Sequence, residues 1–212
     1  SLMAKSPGKV IAIGALLTIT GFAIEFEGIK DALQNELDGM NFTEIVAGGL
    51  LGTGGAGLLG SALVKWITSA FADSAVAISL GALGQKLGYA TTASFGAAIG
   101  FGIGGILAGI PMLLVGVVDI FKNGLSTLNG ILTVGGATLA GAAIGAFFGP
   151  VGIAVGAVLG IFGAVKVKMI QMPQAVALLN GLGGLASALV AILTIDQAAD
   201  DKFAIYVGAI AL

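Results

Sequence analysis

The chain is predicted to be all-α, a polytopic membrane bundle of Gly-rich helix hairpins with six to eight membrane segments. Three observations predict it. Positions 123–165, a run of 43 residues between Lys122 and Lys166, carry no charge. As one helix that run would be about 65 Å long, roughly twice the hydrocarbon thickness of a bilayer, so it must fold back on itself. Charged residues make up 9% of the chain and apolar residues 57%, with a mean hydropathy of +1.08. Ordinary soluble domains carry about 25% charged residues. Finally, 37 glycines are spread over most of the length, and small residues let helix backbones pack closely in lipid.

Lipid offers no partner for a charge or a bare backbone group, so charged residues should mark the ends of spans. The first apolar run, Val10 to Ile24, is short and ends at Glu25 and Glu27. The acidic stretch from Glu25 to Glu44 places Phe26, Ile29, Leu33 and Leu37 at helical spacing, which predicts an amphipathic helix lying at an interface. Ile45 to Val64 is an uncharged span closed by Lys65 and Trp66, a pair suited to the headgroup region. Ile67 to Gln85 is apolar apart from Asp73. Leu87 to Val118 is uncharged and holds Pro111, which predicts a kink or a break.

The long run divides at Gly149-Pro150 into about Leu128–Phe148 and Val151–Val165, because proline lacks an N–H and disfavours helix in the residue before it. Lys166 and Lys168 form a short basic connector, which favours the cytoplasmic side. Gln174 to Ile195 is another span, and a polar patch at 196–202 follows it. The last apolar stretch, Phe203 to Leu212, is half a span long, and no methionine opens the chain. Both features are those expected of a fragment. No small-residue cleavage site leads into a polar mature region, so a signal peptide is not expected.

Histidine, cysteine and arginine are absent. Disulfides, thiolate chemistry and the usual zinc and general-base arrangements are therefore excluded. No catalytic residue, metal site or cofactor is expected in this chain. Nine lysines, no basic cluster and a net charge of −2 argue against nucleic acid, which needs cations to neutralise phosphates. Asn41-Phe42-Thr43 fits the glycosylation sequon, a triplet that also arises by chance.

Glycines four apart recur. Gly96, Gly100 and Gly104 form one ladder, Gly141, Gly145 and Gly149 a second, and Gly152, Gly156 and Gly160 a third; Gly183 and Gly184 add a small patch near the C-terminus. Such glycine-zipper spacing suits helix–helix packing; a pore lining or a homo-oligomer seam is the sharper alternative. Gly52–Gly57 and Gly100–Gly105 match GxGxxG, yet neither follows a strand pattern as a dinucleotide site requires. A weak repeat relates Gly21–Leu37 (GFAIEFEGIKDALQNEL) to Gly109–Leu125 (GIPMLLVGVVDIFKNGL), at an offset of 88 residues. It reads either as two copies of one hairpin unit or as convergent membrane patterning. Asp73 is a candidate intramembrane acid, either an ion or proton relay or a residue near a membrane face.

The C-terminal quarter carries the most specific text. Lys166-Val167-Lys168-Met169-Ile170-Gln171-Met172-Pro173-Gln174 leads into Ala175-Val176-Ala177-Leu178-Leu179-Asn180-Gly181-Leu182-Gly183-Gly184-Leu185-Ala186-Ser187. With flanking apolar helices, residues 149–212 resemble the membrane domain of the β subunit of proton-translocating NAD(P) transhydrogenase. The resemblance implies a proton pathway at Asn180 and Ser187, and a bacterial inner membrane. An amide there can orient waters but cannot take up a proton, and hydrogen-bonded helix glue is the equal alternative for Asn180. The family's later helices and NADP-binding domain are absent here, so the resemblance implies a non-catalytic membrane part of a larger enzyme.

Residues 10–150 are loosely similar to the hydrophobic region of phage tail tape-measure proteins, through the GIKDAL and GVVDIFKNGL units with their Gly-rich followers. That similarity implies a membrane-inserting structural protein. A chimeric helical membrane protein with no activity of its own is a further alternative. The expected division is thus 1–148, a Gly-rich helical region, and 149–212, transhydrogenase-like helices. The expected partners are the lipid bilayer and other membrane helices or subunits, a homo-oligomer among them.

Overall fold

The structure, a computed structural model, describes residues 6–166. Among these residues all regular structure is helical, in six helices: α1 (Pro7–Gln34), α2 (Gly39–Ala70), α3 (Ala75–Lys86), α4 (Thr92–Asn123), α5 (Thr127–Ala146) and α6 (Pro150–Lys166). Four of them, α1, α2, α4 and α5, are long and apolar enough to cross a membrane, and α6 is a shorter apolar helix. Large apolar side chains such as Leu16, Ile19, Leu50, Ile103, Leu107 and Leu114 are exposed along these helices. In water that surface would be a severe liability, whereas in lipid it is the expected outer face. The chain is a multi-pass membrane protein.

Local sequence sets the starts of the helices. Asp38 caps α2 through Met40 N (2.8 Å) and Asn41 N (2.9 Å), and Asn41 Oδ1 accepts from Asp38 N. Thr91 with Ser94 and Ser126 with Asn129 form the same reciprocal box at α4 and α5, satisfying amides that a helix start leaves free. Pro150 stands as the first residue of α6, where a missing N–H costs nothing. The turn before it uses Gly149 at φ +102°, and a side chain there would strike Leu87 O. Gly124, at φ +83°, ends α4 in the same left-handed way.

Neighbouring helices run antiparallel. A Cβ placed on Gly14 would sit 2.8 Å from Leu59 N, and one on Gly28 2.9 Å from Asn41 O, so α1 lies along α2 from Asn41 to Leu59. Across α4 and α5, Gly102 meets the ring of Phe147, Gly109 meets Ala140 and Gly116 meets Thr133. Between α2 and α4, Gly60 faces Gly96 and Thr53 faces Gly104. A buried cluster of Ala32, Ile45, Met112, Val115 and Leu132 draws on α1, α2, α4 and α5 together. At the other end Tyr89, Phe95, Ala98 and Ala146 form a second cluster.

Three sequence expectations are corrected. The acidic stretch from Glu25 does not form a separate interfacial helix; it completes α1, which runs unbroken to Gln34 because nothing breaks the helix before the connection at 35–38. Residues 67–85 are not one segment: α2 ends at Ala70, a turn covers 71–74, and α3 is a 12-residue helix, about 18 Å long and too short to span. Pro111 does not break α4; in hydrocarbon, no alternative to helix satisfies the remaining backbone groups.

Candidate functional site

All the described charges but Glu25 and Lys166 fall toward the two ends of the bundle. One end, holding the α1–α2 and α4–α5 connections, carries Glu27, Lys30, Asp31, Glu36, Asp38, Glu44, Asp119 and Lys122. Lys122 Nζ there donates to Leu33 O (3.3 Å), joining α4 to α1. The opposite end carries Lys9, Lys65, Asp73 and Lys86. Between the ends, the polar side chains that matter are buried ones.

The first buried group is Asp119, 7% exposed, with Asn129, fully buried. Asn129 Nδ2 donates to Asp119 Oδ2 (2.9 Å) and to Gly124 O (2.8 Å), while Asn129 Oδ1 accepts from Ser126 N (2.8 Å). Asn123 Nδ2 donates to Asp119 Oδ1 (2.8 Å). Both carboxylate oxygens and the amide are satisfied, which is what burial of polar groups demands. This cluster closes the α4–α5 connection and leaves no free group for chemistry.

The second is Glu25 on α1. It is 2% exposed, and its Oε1 has no hydrogen-bond partner among the described residues. A Cβ on Gly49 of α2 would lie 3.1 Å from that oxygen and 3.2 Å from Ala108 Cβ of α4, so the carboxyl sits where three helices meet. Thr53, one turn further along α2 and 4% exposed, also has an unpartnered hydroxyl. It stands apart from Thr18, Thr43, Thr68, Thr133 and Thr138, each of which bonds the carbonyl four residues back. Sequence reasoning passed over Glu25 by treating it as a span end; the available signal was the run of glycines Gly14, Gly21 and Gly28, which puts position 25 on the packed face of α1.

Outside the spans, Tyr89 donates its phenol hydrogen to Ala146 O and stacks near Phe95 at a centroid distance of 5.7 Å. Burial pushes its phenol above the usual tyrosine range.

Asp73 lies on the exposed turn 71–74 between α2 and α3. Gly96, Gly100 and Gly104 face α2 at Gly60, Ala56 and Thr53, while Gly141, Gly145, Gly152, Gly156 and Gly160 lie in the α5–α6 contact, Gly141 against Gly156 and Gly145 against Gly152. Asn180, Ser187, Gly183 and Gly184 lie outside the described residues. The sequon Asn41 is buried, with Nδ2 donating to Glu36 O (3.0 Å), so its amide is already engaged. The two GxGxxG matches lie inside α2 and α4, and a side chain at Gly100 would meet Ala56 O. Neither offers a loop and helix start to a dinucleotide phosphate. Among the described residues no group of three or more acidic side chains is placed to hold a metal ion.

Comparison with known proteins adds one finding. The family model described as "NAD(P) transhydrogenase beta subunit" matches residues 85–210. The match begins before α4 and includes α5 and α6, so it reaches well upstream of the expected boundary at 149. It includes the stretch around Asn180, and the tape-measure resemblance finds no support beside it. No curated protein and no solved structure matches the chain. With more than half of its length matched, the chain belongs to the NAD(P) transhydrogenase beta subunit family.

Proposed function

We propose that this chain contributes to proton translocation as an integral membrane part of an NAD(P) transhydrogenase-like complex, without a hydride-transfer site of its own. The observation that carries the reading is the family match over 85–210, which coincides with apolar helices and includes Asn180. Asn180 stands in an uncharged stretch from Gln174 to Ile195. An amide in that setting needs a partner helix or a file of water, since an unpaired one costs several kcal/mol in hydrocarbon, of order 4–8. In the proposed role, Asn180 and Ser187 orient water molecules along which protons move. The partners in this reading are other membrane subunits of the complex or further copies of the chain.

The experiment is reconstitution of the chain in liposomes loaded with a pH-sensitive dye, with an imposed pH gradient. Proton flux in the unmodified chain that falls at least tenfold in Asn180→Ala is the expected result. Absence of flux in both proteins removes the transport reading for this chain.

A further inference from the structure

The α1–α2 and α4–α5 pairs share one set of contacts, displaced by 88 positions. Gly14 against Leu59 recurs as Gly102 against Phe147, and Gly21 against Gly52 as Gly109 against Ala140. Gly28 against Asn41 recurs as Gly116 against Asn129. The cap made by Asp38 with Asn41 recurs as Ser126 with Asn129. Gly48 receives the backbone of Glu25, and Gly136 receives the backbone of Leu113 in the same way. One backbone contact is therefore built twice, and the two copies differ in the residue that stands there: half-buried Leu113 in the second, buried Glu25 in the first.

A leucine at the matching position shows that the backbone contact itself needs nothing polar. The acid instead brings an unpartnered oxygen into a junction beside Gly49 of α2, with Ala108 of α4 next to that glycine. The charged residues of the packed elements lie elsewhere. On α1, Glu27 and Lys30 are exposed, Asp31 lies six residues on and Lys9 near the opposite end; on α2, Glu44 stands a turn nearer the helix start, beside Gly28, and Lys65 is sixteen residues beyond Gly49; α4 has no charge between Thr92 and Val118, with Lys122 beyond Asp119. Asp119 is eleven residues beyond Ala108, about 16 Å along the helix. Among the described residues no cation faces the carboxyl to compensate a negative charge, and an ionised, unpaired carboxylate so buried is strongly disfavoured.

We propose that Glu25 is a proton-binding site of the membrane bundle, gaining and losing one proton at its carboxyl within the α1–α2–α4 junction. The Thr53 hydroxyl is the next polar group along α2 toward the membrane interior. The exchange is balanced by water: a proton arrives from the acidic end of the bundle, converts the carboxylate to the acid, and returns by the same route. Glu25 and Thr53 precede the family-matched residues, so the proposal does not rest on the reading for Asn180 and needs only that the helices stand in lipid.

Infrared spectroscopy of the full chain in liposomes tests it. At neutral pH the unmodified chain is expected to show a protonated-carboxyl carbonyl band that shifts in heavy water and weakens as pH is raised. The band is expected to vanish in Glu25→Gln and in Glu25→Leu, the latter chosen because Leu113 stands at the matching position of the second pair. A band absent from the unmodified chain, persisting undiminished in Glu25→Gln, or failing to shift in heavy water would overturn the proposal. Glu25→Gln serves even if Glu25→Leu does not fold. The readout does not involve flux or Asn180, so its failure is distinct from failure of the translocation reading.

Discussion

Asn129 Nδ2 on α5 donates to Asp119 Oδ2 on α4 over 2.9 Å, so the α4–α5 connection is held from within by a fully buried amide and a nearly buried acid. Removing the amide leaves Asp119, Gly124 and Ser126 each short of a partner. Asn129→Ala is expected to destabilise the fold by about 2–3 kcal/mol, whereas Asn123→Ala, at an exposed position, should cost less than about 1 kcal/mol. Denaturant titration of the two variants in detergent micelles, followed by circular dichroism, checks the difference.

Adjacent glycines on α2 have opposite roles. A Cβ on Gly55 would lie 2.5 Å from Thr18 N, while one on Gly54 meets nothing within 4 Å. Gly55→Ala should push α1 from α2 and cost roughly 2 kcal/mol or more. Gly54→Ala should be neutral or stabilise by about 0.5–1 kcal/mol through helix propensity. Melting temperatures of the pair, measured in the same detergent, decide it.

Tyr89 links stability to alkaline pH. Its phenol is raised by burial from the ordinary value of 10.0, so the folded chain keeps the proton after the unfolded chain has lost it. The neutral form's contribution is complete below the ordinary value and is lost as pH rises through the folded one. The stability difference between the unmodified chain and Tyr89→Phe is thus expected to be flat up to about pH 9 and to shrink above it. Parallel unfolding series at stepped pH give that difference directly, with the shared lysine titrations cancelling.

The chain has no cysteine, so single introduced thiols report topology cleanly. Asp38 and Asp73 lie at opposite ends of α2. Asp38→Cys and Asp73→Cys should react with a membrane-impermeant maleimide from opposite sides of sealed vesicles. Labelling of both from the same side would rule out α2 as a crossing helix. Asp73→Asn, altering an exposed turn residue, should change stability by less than about 0.5 kcal/mol.

Helical character and lipid as solvent were legible from charge-free runs, and the Gly149-Pro150 turn from proline chemistry. The ends of α1 and α2 were not. Reading each charge as a boundary stopped the first helix at Glu25, yet Glu25 packs its backbone on Gly48 and its carboxyl beside Gly49 of another helix, a tertiary fact signalled in the sequence only by the spacing of Gly14, Gly21 and Gly28. The turn at 71–74 was missed for the complementary reason: Phe71 and Ala72 are apolar, and only Asp73-Ser74 marks the stop, with Ser74 capping α3 through Ala77 N (3.1 Å). The glycine ladders showed which faces could pack, but their partners, such as Ala56 for Gly100 and Gly156 for Gly141, depend on the antiparallel order of the whole bundle.

At 32 residues each, α2 and α4 extend about 48 Å, well beyond the roughly 30 Å hydrocarbon layer of an average bilayer. The excess must be met by leaning, by protrusion into the headgroups, or by a locally swollen lipid annulus. Short-chain lipids should therefore aggravate the mismatch and long-chain lipids relieve it, which makes acyl-chain length a control over where and how readily this bundle settles.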